Sequence, residues 1–371
     1  MSVPSPIPYI NLAAQHAPLK AELLAAVGQV IDSGHFILGE EVATFEQRFS
    51  ELCQVRHAVG VASGTDALIL ALASAGVTAG DEVITVPNSF VATASAIRLL
   101  GARPVFVDVR DDYNMDPVQL ESAITPRTRA ILPVHLTGRP CEMDAIVGVA
   151  TKHGVSIVED CAQAVAAAYR GRVVGSFGVG CFSLHPLKTL NACGDGGVIT
   201  ANEPAVADRL MLMRNIGLRT RDDCVMWAGN SRLDTVQAAI LLVKLKHLCR
   251  WTEARRRNVE LYRERLRDVS EVQVPAEPPY MRAVYHTLVV QADRRDDLQR
   301  FLAERGIGSA IHYPVPIHLM SVGRELGYPR GSFPVTERLA TRILSLPVYP
   351  ELTGDDIDRV CDAIRAFYRS C

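Results

Sequence analysis

Between Val59 and Ile199, short apolar strand-like segments alternate with helical ones, and this alternation restricts the possible folds more than any other feature of the chain. The strand-like segments are residues 57–61, 82–86, 103–108, 130–135, 156–160 and 181–184. Such a succession predicts parallel pairing, because each crossover helix carries the chain back to the same edge of a sheet. The expected fold class is therefore α/β, with a mostly parallel sheet covered by helices. From Leu233 to Leu266 the pattern turns helical, and Ala238, Leu241, Leu242, Leu245 and Leu248 are spaced to line one face. The domain boundary is expected within this helix, giving a large domain of residues 1–245 and a smaller C-terminal α/β domain of residues 246–371. The smaller part reads as a strand at 284–290, a helix at 295–305, a proline-rich loop at 312–318 and a closing helix at 355–368.

The chemistry centres on Lys188, at the end of Ser183-Leu184-His185-Pro186-Leu187-Lys188 and just before the glycine-rich residues 194–197. A lysine leaving an apolar segment can be held at the mouth of a cleft, where lost solvation lowers its pKa and makes the amine nucleophilic. Upstream, residues 154–160 read as a buried strand ending in Glu159 and Asp160. Ligands of open α/β sheets sit at the carboxyl ends of strands, so Asp160 can pair with a protonated ring nitrogen there. It also reads as a helix N-cap ahead of residues 161–164. A third element is Ser63-Gly64-Thr65, between an apolar strand and a long apolar helix. Free N–H groups and the helix dipole converge on such a turn, which suits a single phosphate, or it is an ordinary capped helix. Neither GxxxxGK[ST] nor GxGxxG occurs at this point, which argues against a triphosphate or dinucleotide.

Phosphate turn, ring-pairing carboxylate and nucleophilic lysine, in that chain order, resemble the layout of fold-type I pyridoxal-phosphate enzymes. From near Gly34 to the C-terminus the chain resembles the DegT/DnrJ/EryC1/StrS family of sugar aminotransferases. The resemblance runs through Gly39-Glu40-Glu41-Val42, residues 62–68, residues 86–93 (VPNSFVAT), residues 133–136 (PVHL) and residues 159–164 (EDCAQA). It continues through residues 183–188, 194–197, 229–239 (GNSRLDTVQAA) and 312–318 (HYPVPIH).

The resemblance implies a fold-type I transferase whose cofactor is pyridoxal 5'-phosphate. Lys188 would bond the cofactor aldehyde and shuttle the proton, and Asp160 would pair with the ring nitrogen. Ser63, Gly64, Thr65 and Ser183 would hold the phosphate. Phe90 would stack on the ring, although a lone phenylalanine also reads as core, and Gln163 would sit near the ring hydroxyl or the substrate. Asn230 would reach the phosphate of the neighbouring subunit's cofactor, which requires a homodimer with shared sites. His185, Arg232, His312, Tyr313 and His318 would line the substrate side, while the histidines also read as structural. Thr137, Val165, Thr189 and Met320 depart from the family's usual tyrosine, histidine, asparagine and glutamine, which bears on the choice of sugar.

The implied reaction moves an amino group, from glutamate, onto a nucleotide-linked ketosugar, with a lean to the 3-keto over the 4-keto deoxysugars. Two alternatives share the fold. A sugar dehydratase or eliminase is opposed by Lys188, since related dehydratases carry histidine there. A non-catalytic regulator would need no combination of Lys188, Asp160 and Gln163.

Composition agrees with an enzyme. At 371 residues, 48% hydrophobic and with a net charge of -2, the chain can bury a large core and carries no concentrated basic face for nucleic acid. The densest basic run, Arg255-Arg256-Arg257, lies between Glu253 and Glu260 and reads as a solvated helix face. The cysteines at 53, 141, 161, 181, 193, 224, 249, 361 and 371 form no CxxC pair or zinc spacing, so reduced thiols, no metal and a cytoplasmic location are expected. No apolar run approaches the roughly 18 residues of a membrane span. The segment before Lys20, broken by Pro4, Pro6, Pro8 and Pro18, lacks the features of a signal peptide.

Overall fold

The computed structural model describes residues 5–369; Pro4 and Cys371 lie outside the described residues. Seven strands form the main sheet: β1 (His57–Val61), β2 (Glu82–Thr85), β3 (Arg103–Phe106), β4 (Thr128–Ile131), β5 (Ser156–Asp160), β6 (Val179–Ser183) and β7 (Gly197–Ala201). Their order is β1-β7-β6-β5-β4-β2-β3. The pairs β6/β5, β5/β4, β4/β2 and β2/β3 are parallel, and only β7 runs against its neighbours. The strands β2, β6 and β7 are almost wholly buried, as expected of a sheet covered on both faces.

The helix Gly64–Ser74 shows how local sequence places the site. Ser63 caps it, its Oγ accepting from Asp66 N at 3.1 Å. Behind the cap, Ala67, Leu68, Leu70, Ala71 and Leu72 are buried. At roughly 1.5–3 kcal/mol per buried leucine, that packing fixes the helix's N-terminus at the carboxyl edge of the sheet.

The helix anticipated over 233–266 is two, Thr235–Leu245 and Leu248–Leu266, separated at Lys246–His247. Beyond them a three-stranded antiparallel sheet forms in the order β8 (Val272–Gln273), β9 (Leu288–Ala292) and β10 (Ile343–Leu346). The strand anticipated at 284–290 therefore begins later, and residues 284–287 lead into the sheet. The closing helix, Gly354–Arg369, packs against Leu248–Leu266 around a core containing Tyr262, Leu298, Leu344, Ile357 and Phe367. Among the described residues no helix is long and apolar enough to cross a membrane.

Candidate active site

The carboxyl ends of β1, β5 and β6 meet at one cleft, with about 1080 Å³ of open space. Ser63, Gly64, Thr65, Phe90, Asp160, Gln163, Ser183, His185, Lys188, His312 and Tyr313 line it, so most of the residues singled out from the sequence converge there.

The turn after β1 approaches β6 and β7 closely. A Cβ on Gly64 would fall 2.6 Å from Ser183 Cβ, and one on Gly197 would fall 2.3 Å from the Ser63 carbonyl oxygen. Only glycine leaves the first-turn N–H groups and the Ser183 hydroxyl facing a common space. From behind, Ser231 Oγ donates to Asp66 at 2.8 Å and accepts from Ala62 N at 3.2 Å, bracing the turn.

Asp160 ends β5, its backbone carbonyl accepting from His135 N at 3.0 Å. Its carboxylate accepts from Thr93 Oγ1 at 2.8 Å and from Ala162 N at 3.1 Å. Burial pushes its pKa up, against the pull of those two donors and of Lys188. Lys188 follows β6 across the loop that His185 begins; its N donates to the His185 carbonyl at 2.8 Å, and its own carbonyl accepts from Asn191 Nδ2 at 2.9 Å. Burial lowers the Lys188 pKa to about 8, while the Asp160 carboxylate acts in the opposite direction. The amine thus sheds its proton far more readily than an exposed lysine, and becomes a nucleophile and base as the pH passes about 8.

Phe90, 56% exposed, presents its ring at the cleft, 5.8 Å from that of Tyr313. Gln163 is pinned at both ends: Oε1 accepts from Thr137 N at 2.6 Å and Nε2 donates to the Tyr313 hydroxyl at 3.2 Å. Thr137 contributes its backbone N–H to this contact. His312 pairs its Nδ1 with Ser345 Oγ at 2.8 Å and stacks on Tyr9, and burial beside Lys188 lowers its pKa to about 4.

Three anticipated residues stand outside the cleft of their own chain. Asn230 is exposed and bridges Asn215 through its backbone. Arg232 donates to Asn215 Oδ1 at 3.0 Å. His318 is fully buried, with Nε2 3.0 Å from Glu337 and its ring edge-on to Phe333.

The structure adds Ser89, Thr93, Asp195 and His286 to the lining. Ser89 and Thr93 flank Phe90 in a block already recognisable in sequence, four residues apart at a helix start. His286, whose pKa burial lowers well below the ordinary value, lies in an apolar run with no motif to mark it. Beneath the cleft, His135, Glu159 and Cys161 bring three metal-ligating atoms together. The Glu159 oxygens, however, accept from Gly175, Phe177 and Gly178 N at 2.8–2.9 Å as well as meeting His135 at 3.1 Å, and burial keeps the Cys161 thiol protonated. This group is a structural brace for β5.

A lysine with a lowered pKa, a buried carboxylate and a glycine turn at a helix N-terminus thus meet in one cleft of a mostly parallel sheet. The model of the DegT/DnrJ/EryC1/StrS aminotransferase family matches residues 18–365, and the chain belongs to that family. It is 43% identical over 361 residues to the "dTDP-3-amino-3,4,6-trideoxy-alpha-D-glucose transaminase" of Streptomyces venezuelae, covering 97% of this chain and 95% of that protein. It is 41% identical over 362 residues to the "Erythromycin biosynthesis sensory transduction protein EryC1" of Saccharopolyspora erythraea, covering 97% of this chain and 99% of that protein. Among solved structures, S. venezuelae DesV in complex with a ketimine intermediate superposes with a TM-score of 0.95 at 43% identity, covering 98% of this chain and 99% of that one.

Proposed function

We propose that this chain is a pyridoxal 5'-phosphate-dependent aminotransferase that converts a nucleotide-linked ketosugar, at the 3-keto position, to its aminosugar with glutamate as donor. The observation that carries the proposal is Lys188, a lysine of lowered pKa in the same cleft as the buried Asp160 and the Ser63–Thr65 turn. The residues fit the cofactor on physical grounds. Asp160 is a buried carboxylate with no ion pair among the described residues, and a protonated ring nitrogen would supply one. The Gly64 turn and the Ser183 hydroxyl, too close for any Cβ between them, would grip the phosphate. Phe90 offers an aromatic face to the ring and Gln163 a fixed amide beside it.

When bound, the cofactor supplies an aldehyde that bonds amines and a ring that withdraws electrons from the adjoining carbon. Lys188 Nζ would hold that aldehyde until a donor amine replaces it, and the freed amine would then carry a proton between the donor's α-carbon and the cofactor carbon it had occupied. Asp160 holds the ring nitrogen protonated. With the ketosugar as second substrate, Lys188 would carry the proton in the reverse sense. His312, uncharged at neutral pH, and Tyr313 line the sugar side without competing for that proton.

We further propose a homodimer in which Asn230 and Arg232 serve the neighbour's cleft. Supporting this, both lie outside their own cleft, and Trp227, three residues before Asn230 in the sequence, is 98% exposed. Residues 1–245 would form the cofactor domain and 246–371 the smaller domain that contributes His286, His312 and Tyr313. His318, buried against Glu337, would support the 312–318 loop and not touch the sugar. The eight free cysteines of the described residues suit the cytoplasm. A regulatory role has the name of the Saccharopolyspora erythraea relative in its favour, but it leaves the Lys188–Asp160 arrangement without a task. The test is to load the protein with the pyridoxamine form and present a panel of nucleotide-linked ketosugars. Return of the aldehyde-form absorbance with 3-keto substrates supports the assignment; silence across 3-keto and 4-keto substrates overturns it.

A further inference from the structure

Asp160 is held from the side by a buried pair of hydroxyls that the reaction has not so far used. Thr93 Oγ1 donates to Asp160 Oδ2 at 2.8 Å, and Ser89 Oγ lies 2.7 Å from Thr93 Oγ1. An ionised carboxylate only accepts, so Thr93's one proton is spent on Asp160 and Ser89 must donate to Thr93. The direction of the whole relay follows: Ser89 to Thr93 to Asp160. All three side chains are buried, and all three line the cleft. Their placement is local in origin, since Ser89 lies three residues before the helix Ala92–Leu99 and Thr93 in its first turn, with the two hydroxyls in contact.

We propose that Thr93 is a positioning residue that, backed by Ser89, fixes the Asp160 carboxylate and keeps it ionised toward the ring nitrogen of the cofactor. The proposal rests on the pyridoxal-phosphate reading above. Its physical basis is the competition at Asp160. Burial favours the neutral acid, and the donors opposing it are Thr93 and the Ala162 N–H. A hydrogen bond to a charged group in a low-dielectric site is stronger than one between neutral partners, and such donors accumulate their effect along a chain of hydroxyls. Ala162 N restrains one carboxylate oxygen and Thr93 the other, so losing Thr93 frees the group to rotate and to keep the proton for itself. The other titratable groups facing Asp160 are Lys188, His135, Tyr313, Cys161 and Cys181, and none of them donates a hydrogen bond to the carboxylate.

The test compares Thr93→Val, Thr93→Ser and Ser89→Ala with the wild type, each loaded with cofactor labelled with 15N in the ring. The wild type should show the resonance of a protonated ring nitrogen. Thr93→Val keeps the side-chain volume, and its resonance should move toward the unprotonated position, with the acid midpoint of cofactor capture by the apoprotein rising by about one pH unit, a tenfold change. The kcat should fall about tenfold with KM for the sugar within about twofold. Thr93→Ser should restore all of these, and Ser89→Ala should shift them in the same direction by less. Should Thr93→Val fail to fold, Ser89→Ala still tests the relay. A wild-type resonance already at the unprotonated position would overturn the reading of Asp160 itself. A protonated wild type with an unchanged resonance in Thr93→Val would overturn the role of Thr93, and an unchanged resonance in Ser89→Ala would overturn the backing by Ser89.

Discussion

Replacing Lys188 with methionine should make the cofactor-free protein more stable at neutral pH. Burial lowers the lysine's pKa from 10.5 to about 8, so the charged form is disfavoured in the fold. At about 1.4 kcal/mol per pH unit that displacement corresponds to about 3 kcal/mol. The sign follows from proton uptake. Between the two values the unfolded chain binds the extra proton, so stability rises with pH through that window and the full cost is borne below about pH 8. Lys188→Met removes the cost, but it also deprives Asp160 of a nearby cation, which returns part of it. A net gain of about 2 kcal/mol at pH 7 remains, vanishing by about pH 10.5. Urea unfolding of the two apoproteins at equal concentration and at both pH values measures it. A variant no more stable than wild type at pH 7, or a difference that does not shrink with pH, would refute the claim that Lys188 is held desolvated.

The shared site predicts complementation: Lys188→Ala and the double variant Asn230→Ala/Arg232→Ala should each be impaired, and refolding them together should restore activity through the one intact site of a heterodimer. Heterodimers that form and stay inactive would confine residues 230–232 to their own subunit or to no site. Gly64→Ala should weaken cofactor binding at least tenfold, because its Cβ would lie 2.6 Å from Ser183 Cβ; the measurement is a fluorescence titration of apoprotein, and unchanged affinity would remove the turn from the cradle.

What could be read from the sequence was whatever chemistry announces itself within a few residues. The Ser63–Thr65 turn, the carboxylate ending residues 156–160 and the lysine following residues 179–184 are local patterns, and the structure gathers all three at one sheet edge. Contacts between distant segments left no such mark. Thr93 meets Asp160 across 67 positions of chain, and Tyr9 reaches His312 from the N-terminal segment. Nothing in the helical spacing of residues 235–245 shows that Lys244 is fully buried, with Nζ 2.6 Å from Asn191 Oδ1. The division of the helix at Lys246–His247 likewise depends on tertiary packing, since the apolar stripe runs on through Leu248. His318 carried the same signal as His312, a histidine in a proline-rich loop, yet the chain turns one toward the cleft and buries the other against Glu337.

The most direct measurement of the central claim is borohydride reduction of the cofactor-loaded protein followed by peptide mass mapping. The account predicts one pyridoxyl group per chain, carried by the peptide containing Lys188, with loss of the visible band on reduction and no band in Lys188→Ala. A reducible band that survives that substitution, or a label on any other lysine, would contradict it.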